Sequence, residues 1–404
     1  MRRRRTLLLC TVLSLATAAC GTTGVNSNAP AVSATPTRPY NAADSGPSTP
    51  AAALRVRWSL LLEEHQLLAF KTTGATIAGH LDTATAYAGQ LSRNGSELGD
   101  LIAASYGGAA RDRFNAIWVA HDLAIAEAAQ SDGLRRAHAE QTGHFVPELT
   151  ALLAGLTGIP ATTVSRAAAQ EAGDSDTVVA AQTARDYPRA YSTLHAARIR
   201  LGEFAEEIVA AMAAQRPTTL TGNPRSRAAQ LAVDLNTLLQ EHAYEFTAAS
   251  DALLGGRSDD VNAATRALEA NAGELAQVLN GVFGSEARRH FGAIWAAHDN
   301  YLLDYARAAA ITDAAGEQHA IQNLDQIFTP RFVDYLTGLL DTPADGIRPA
   351  LAAQLATLTA VLDAQGAQRA DDAAQRDRLA AATIAAVAAR LAVAITDRAP
   401  DSFA

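Results

Sequence analysis

The sequence predicts an all-α protein built as two tandem up-and-down helical bundles related by internal duplication. Two observations carry that prediction. The first is a repeat. GGAARDRFNAIWVAHD from Gly107 lies over GSEARRHFGAIWAAHD from Gly284, 177 positions on, with ten of sixteen residues identical. At the same displacement Leu-Leu-Glu-Glu-His, ending at His65, lies over Leu-Leu-Gln-Glu-His, ending at His242. A period this long is no solenoid unit; each copy has room for several helices and a core. The second observation is spacing. Beyond residue 53 the chain is rich in Ala, Leu, Arg, Gln and Glu, and its apolar residues recur three and four apart, which is the helical period.

Taken in order, the chain opens on Met1 and four arginines, followed by a short apolar run from Thr6 to Leu15. Thr17-Ala18-Ala19-Cys20 then supplies small residues before a cysteine. The run is too short to span a bilayer, so residues 1–20 read as an export signal. The segment resembles the lipobox of bacterial lipoproteins, which implies a diacylated Cys20 and a protein held by lipid on the outer face of the cytoplasmic membrane. Thr17 departs from the aliphatic residue usual there. Arg4-Arg5 also resembles a twin-arginine signal, which implies export already folded. Residues 21–53, rich in Ala, Thr, Ser, Pro and Asn, bury too little to offset their ordering entropy and read as a tether. No later segment is expected to cross a membrane. With Cys10 lost and Cys20 blocked, no thiol is left for a disulfide or a metal.

The first helix carries Trp58, Leu61, Leu62, His65, Leu68, Ala69 and Thr72 on one stripe, and its copy carries Leu231, Leu235, Leu238, Leu239, His242, Phe246 and Ala249. Asn94 and Asn271, each three residues before a glutamate, have the capping-box pattern of a helix start. Gly107 and Gly284 read as helix ends at positions needing positive φ. The motif helices follow, with Phe114, Ile117, Trp118, His121 and Ile125 on one stripe and Phe291, Ile294, Trp295, His298, Leu302 and Tyr305 on the other. Phe145-Val-Pro-Glu-Leu-Thr lies over Phe332-Val-Asp-Tyr-Leu-Thr at 187, so the second half is expected to have gained ten residues. The segment Arg216–Arg225, with Pro217, Gly222 and Pro224, is the natural boundary. This divides the chain into bundle 1 (54–216) and bundle 2 (225–400).

Four histidines thus sit in apolar stripes, two per half, on different helices. A buried imidazole without a partner costs on the order of 1–3 kcal/mol, so His65 is expected to meet His121, and His242 to meet His298. In one reading these pairs only fix helix register as a polar layer. In another they bind a transition metal, copper or zinc first, since imidazole is a common ligand and bundle cores host such sites. Glu64, Asp122, Glu241 and Asp299, adjacent in sequence and about 100° round the helix, suit outer-sphere acceptors better than ligands. His195 could complete a three-histidine set in bundle 1, whereas the matching region near Asp377 and Arg378 has none. A third reading is haem between two histidines, for which there is no Cys-x-x-Cys-His attachment. His80, His138, His144, His290 and His319 read as exposed or structural.

The order Leu-Leu-x-Glu-His, then Tyr-Gly or Phe-Gly, then Ile-Trp-x-x-His, resembles a family of duplicated helical surface proteins of Gram-positive bacteria, often catalogued as copper amine oxidase-like. Asp186-Tyr187 through Tyr191 to His195 fits its last helix in the first half only. The resemblance covers essentially the whole mature chain and implies the tandem architecture and an unassigned histidine site. It does not bring an oxidase: Asn300-Tyr301 is followed by Leu302 where a quinone precursor needs an acidic residue, and no His-x-His occurs.

Phosphate loops, dinucleotide glycine patterns, Gly-x-Ser-x-Gly and His-Glu-x-x-His are absent. Loss of the four arginines Arg2 to Arg5 takes the formal charge from −9 to −13, and Lys71 is the only lysine, which excludes nucleic acid as a partner. The sequence identifies no protein partner. It predicts a non-catalytic envelope lipoprotein binding metal through paired histidines, ahead of a structural or interaction module and of a metal enzyme.

Overall fold

A computed structural model describes residues 40–130 and 133–404, which lie in one compact unit. The expected signal, Cys20 and most of the tether fall outside the described residues. The helices are α1 (Ala42–Ser45), α2 (Pro50–Ala78), α3 (Leu81–Tyr106), α4 (Gly108–Ala128), α5 (Gly133–Glu140), α6 (Val146–Thr157), α7 (Ala161–Ala184) and α8 (Tyr187–Gln215) in the first half. The second half has α9 (Arg227–Leu254), α10 (Ser258–Ala310), α11 (Ala314–Asn323), α12 (Thr329–Leu340), α13 (Ala344–Gly366) and α14 (Ala370–Arg398). Short π-helical turns, Gln141–Phe145 and Leu324–Phe328, precede α6 and α12. No strand occurs among the described residues, and the protein is all-α.

The tether does not reach residue 53. Thr49 caps α2 by accepting from the Ala52 N–H, with Pro50 just inside, and Ala51 and Ala52 are buried. The Asp44 carbonyl accepts from Asn223 N–H at 2.7 Å and Ser45 O from Ser226 Oγ at 2.8 Å, so residues 42–53 belong to the folded unit.

At the centre, α2 and α9 lie side by side. Arg55 reaches Pro224 O and Gln230, Glu64 accepts from Tyr244, and Lys71 donates to Thr247. The paired positions advance together, so the two helices run parallel. Both are buried all round, from Leu61 to Thr73 and from Leu235 to Ser250 apart from the ordinary fraying of their ends. The apolar stripe seen in the sequence marks only the face turned to each helix's own half. The other face, with Glu63, Glu64 and Lys71, meets the opposite half and must find polar partners there. One apolar cluster accordingly joins Leu67 and Leu68 to Leu235 and Leu239 across the halves.

Asn94 and Asn271 start no helix. They lie mid-helix in α3 and α10 with fully buried side chains, donating to Leu61 O and Glu64 Oε2, and to Leu238 O and Glu241 Oε2. Their Asn-x-x-Glu spacing looks like a cap, but tertiary partners hold them. Gly107 (φ +84°, ψ 174°) and Gly284 (φ +84°, ψ 179°) do mark the expected breaks, in backbone open essentially to glycine alone. Gly284 divides α10 into two limbs. The second half gains six residues, not ten. The turn at 141 and that at 324, α6 at 146 and α12 at 329, and α8 at 187 and α14 at 370 all differ by 183. Phe145 therefore corresponds to Phe328, and Phe332 to Leu149.

By length and composition α14 could cross a membrane, contrary to the sequence expectation. It packs here against α9, α13 and α3, burying Ala380, Ala381, Ile384, Ala388 and Ile395.

Candidate metal centres

The first centre gathers one side chain from each of three helices. His65 comes from α2, His121 from α4 and Glu171 from α7, and all are buried. The two Nε2 atoms lie 3.1 Å apart; Glu171 Oε1 is 3.0 Å from His121 Nε2 and 3.6 Å from His65 Nε2. A tetrahedral ion with bonds of about 2.0–2.2 Å spaces its ligand atoms by roughly 3.3–3.6 Å, so the triangle is close to a ligand set already drawn together. Neighbours orient each ring. The Trp118 indole donates to His65 Nδ1 at 3.3 Å, which leaves the proton of that neutral ring on Nε2. His121 sets Nδ1 2.6 Å from Gln141 Oε1 and Nε2 3.0 Å from Glu171 Oε1, two acceptors that favour a proton on both nitrogens. A metal in the triangle would displace the Nε2 protons. Phe145 stacks on His121 at 3.9 Å. Gln66 donates to Glu171 at 2.7 Å and to Ser175 at 3.1 Å.

Burial disfavours the charged form of every group here, and the pairing decides the outcome. Burial works to lower the His121 pKa, but the Glu171 charge and hydrogen bond, with Asp122 and Gln141, raise it. Burial works to raise Glu171, yet His121 and His65 hold its carboxyl down at about 2. Asp122 has no such partner. Burial lifts it to about 6 against the pull of His65 and His121, and its Oδ1 stands 3.6 Å from His65 Nδ1 without a hydrogen bond.

The second centre is His242 on α9 with His298 and Asp299 on α10. Asp299 Oδ1 is 3.0 Å from His298 Nδ1 and 3.4 Å from His242 Nε2. Its polar atoms are far less satisfied. Both ring nitrogens of His242 and the Trp295 N–H make no hydrogen bond. Gln354, 183 positions after Glu171, is buried with neither end of its amide bonded. Burial takes His242 to about 4, with Asp299 opposing and His298 adding, and takes His298 to about 3. Burial raises Asp299 to about 6, with His242 opposing. The centre therefore presents two neutral imidazoles. Asp299 also lines an open cleft of about 640 Å³ between the limbs of α10, with Gly292 and Ala296, which gives this centre a path to solvent.

One glycine explains part of the difference. A Cβ at Gly95 would stand 2.7 Å from Trp118 Cδ1, so the bare backbone of α3 lets the indole lie close enough to reach His65. The matching residue in α10 is Ala272, and there the Trp295 N–H is unpaired. Gly95→Ala is expected to push Trp118 off His65 and destabilise the fold by about 1–3 kcal/mol, the range for crowding a packed site. Urea unfolding with tryptophan emission checks this, and an unchanged midpoint and spectrum would refute it.

The structure brings His65 to His121 and His242 to His298, as the stripes predict. It takes His195 elsewhere: the third side chain of the first centre is Glu171, and His195 on α8 bonds Glu241 and Glu274 of the other half. Glu64 and Glu241 likewise make no bond to the histidine beside them. Glu64 serves Asn94, Tyr244 and Arg378, and Glu241 serves Asn271, His195 and Arg198. Asp299 stands within the group that could hold an ion, beside His242 and His298, rather than outside it. A haem plane has no slot between His65 and His121, whose nitrogens already touch. Glu171 escaped the sequence reading, though its signal was there: a carboxylate at helical spacing with Val164, Ala168, Ser175 and Val178. Gln141 left no such signal, because it reaches His121 from an irregular turn. Both buried groups can hold a metal ion. The chain matches no known family model, no curated protein and no solved structure, so a function has to rest on these two histidine–carboxylate groups.

Proposed function

We propose that this chain is a non-catalytic, metal-binding lipoprotein of the cell envelope, anchored through Cys20, whose centres hold zinc or copper. The observation that carries this reading is the triangle of His65 Nε2, His121 Nε2 and Glu171 Oε1, with edges of 3.0–3.6 Å. Two imidazoles and a carboxylate suit zinc or copper better than a hard oxygen-seeking ion. The unpaired nitrogens of His242 support a ligand at the second centre, since leaving buried polar atoms unmet costs about 1–3 kcal/mol each. The first centre is sealed from solvent, which favours holding an ion over turning over a substrate.

A second reading has its own support. At the first centre His121, Glu171, Gln66, Gln141 and Ser175 already bond one another, as a register-fixing polar layer would. Elemental analysis of the untagged protein from its native envelope, beside His121→Ala and His298→Ala, separates the two. Near-stoichiometric zinc or copper, lost by one centre's share in each variant, supports the metal reading. Metal-free protein that also refuses added Zn²⁺ and Cu²⁺ sinks it and leaves the structural module.

A further inference from the structure

We propose that His195 is a protonation-controlled clasp between the two halves, closed while its ring is an imidazolium and loosened when the ring loses a proton. The geometry requires two donors. Nδ1 lies 3.1 and 3.2 Å from the two oxygens of Glu241 on α9, and Nε2 lies 2.7 Å from Glu274 Oε1 on α10. Carboxylates only accept, so both ring nitrogens must carry hydrogen, and that ring is charged. A neutral ring can serve one carboxylate and leaves the other facing a lone pair.

The opposite half shows what the position is for. Arg378 on α14 stands 183 residues after His195, and it donates to Glu64 and Glu97, which precede Glu241 and Glu274 by 177. Each half thus reaches across with its last helix to hold two carboxylates of the other. Arg378 is a permanent cation; His195 is one that titrates near neutral pH. Its surroundings are Glu241 and Glu274 on the facing helices and Arg198 one turn along α8, which pairs with the same carboxylates at 3.2 and 2.7 Å. Glu63 on α2 and Asp234 on α9 act on Arg198. The hydrogen bond His195 donates to Glu241 leads in raising its pKa, joined by the charges of Glu241 and Glu274 and opposed by burial and Arg198. A group whose folded pKa is raised stabilises fully below its unfolded value of 6.5 and loses that contribution as pH rises through the folded value. The clasp therefore closes in acid and loosens in alkali. His195 bonds none of the metal-centre residues, so the inference stands whether or not metal is bound.

The test is thermal unfolding of the full chain, with chelator present, at pH 6 and pH 9 for wild type, His195→Arg and His195→Gln. Arginine copies the Arg378 clasp. Wild type is expected to lose about 2–4 °C more than His195→Arg over that range, and His195→Gln to start low and lack that part of the slope. Equal slopes in all three overturn the proposal. If His195→Gln does not fold, imidazole NMR of wild type decides, with the His195 resonance identified by its loss in His195→Arg. A midpoint above 6.5 supports the clasp, and one at or below 6.5 overturns it.

Discussion

Asp377→Ala is expected to cost about 3–5 kcal/mol of stability, the range for breaking one member of a buried ion pair. Asp377 on α14 has no exposed surface, and it accepts from Lys71 Nζ at 2.5 Å, Tyr87 OH at 2.9 Å and Thr247 Oγ1 at 2.8 Å. One carboxylate therefore ties α14 to α2, α3 and α9, across both halves. The ammonium of Lys71, packed over the rings of Tyr87 and Tyr244, would be left with Thr247 alone. Most of the loss comes from that stranded charge rather than from the missing bonds. Asp377→Ala with Lys71→Met should consequently recover much of it, because an apolar pair of similar size is often no less stable than a buried ion pair. Denaturant unfolding of the three variants gives the coupling directly. A single variant within 1 kcal/mol of wild type, or a double variant no better than the single, would show that the pair contributes little.

Glu171→Gln is expected to convert the first centre into the likeness of the second half, where the corresponding residue of α13, 183 positions on, is Gln354. Loss of an outer partner alone costs roughly 10–100-fold in metal affinity, so removal of a direct ligand should cost no less. His121 would also lose the carboxylate that raises its pKa against burial, and should behave like His242 and His298, which burial holds neutral. The reverse change, Gln354→Glu, should strengthen Zn²⁺ binding at the second centre while making the metal-free protein less stable, since the new carboxyl is buried. Titration calorimetry with Zn²⁺ on both variants checks the pair. If affinity follows neither substitution, the triangle is not a ligand set and the polar-layer reading gains.

Much of the local structure was readable. The helical period, the breaks at Gly107 and Gly284 and the placing of four histidines on apolar stripes all follow from side-chain spacing along one helix. The errors share a cause. Asn94 and Asn271 looked like caps because Asn-x-x-Glu is a local pattern, whereas their partners, Leu61 O and Leu238 O, lie thirty-three residues away on another helix. The insertion came out as ten because Phe145 and Phe332 match in sequence. Phe145 stacked on His121, and Phe328 packed at a tilt against His298, show the true correspondence.

By itself, then, the sequence determined that the chain is helical, that it repeats, and that His65 and His121, like His242 and His298, are buried toward their own halves. Tertiary structure alone decided that Glu171 completes the first centre, that Asp299 stands in the second, and that His195 turns from the first centre to Glu241 and Glu274. Periodicity records which face of a helix is covered, because burial selects residues every third or fourth position. It carries no record of which helix does the covering, and where a helix such as α2 or α9 is covered on every side, the stripe marks only one of its buried faces.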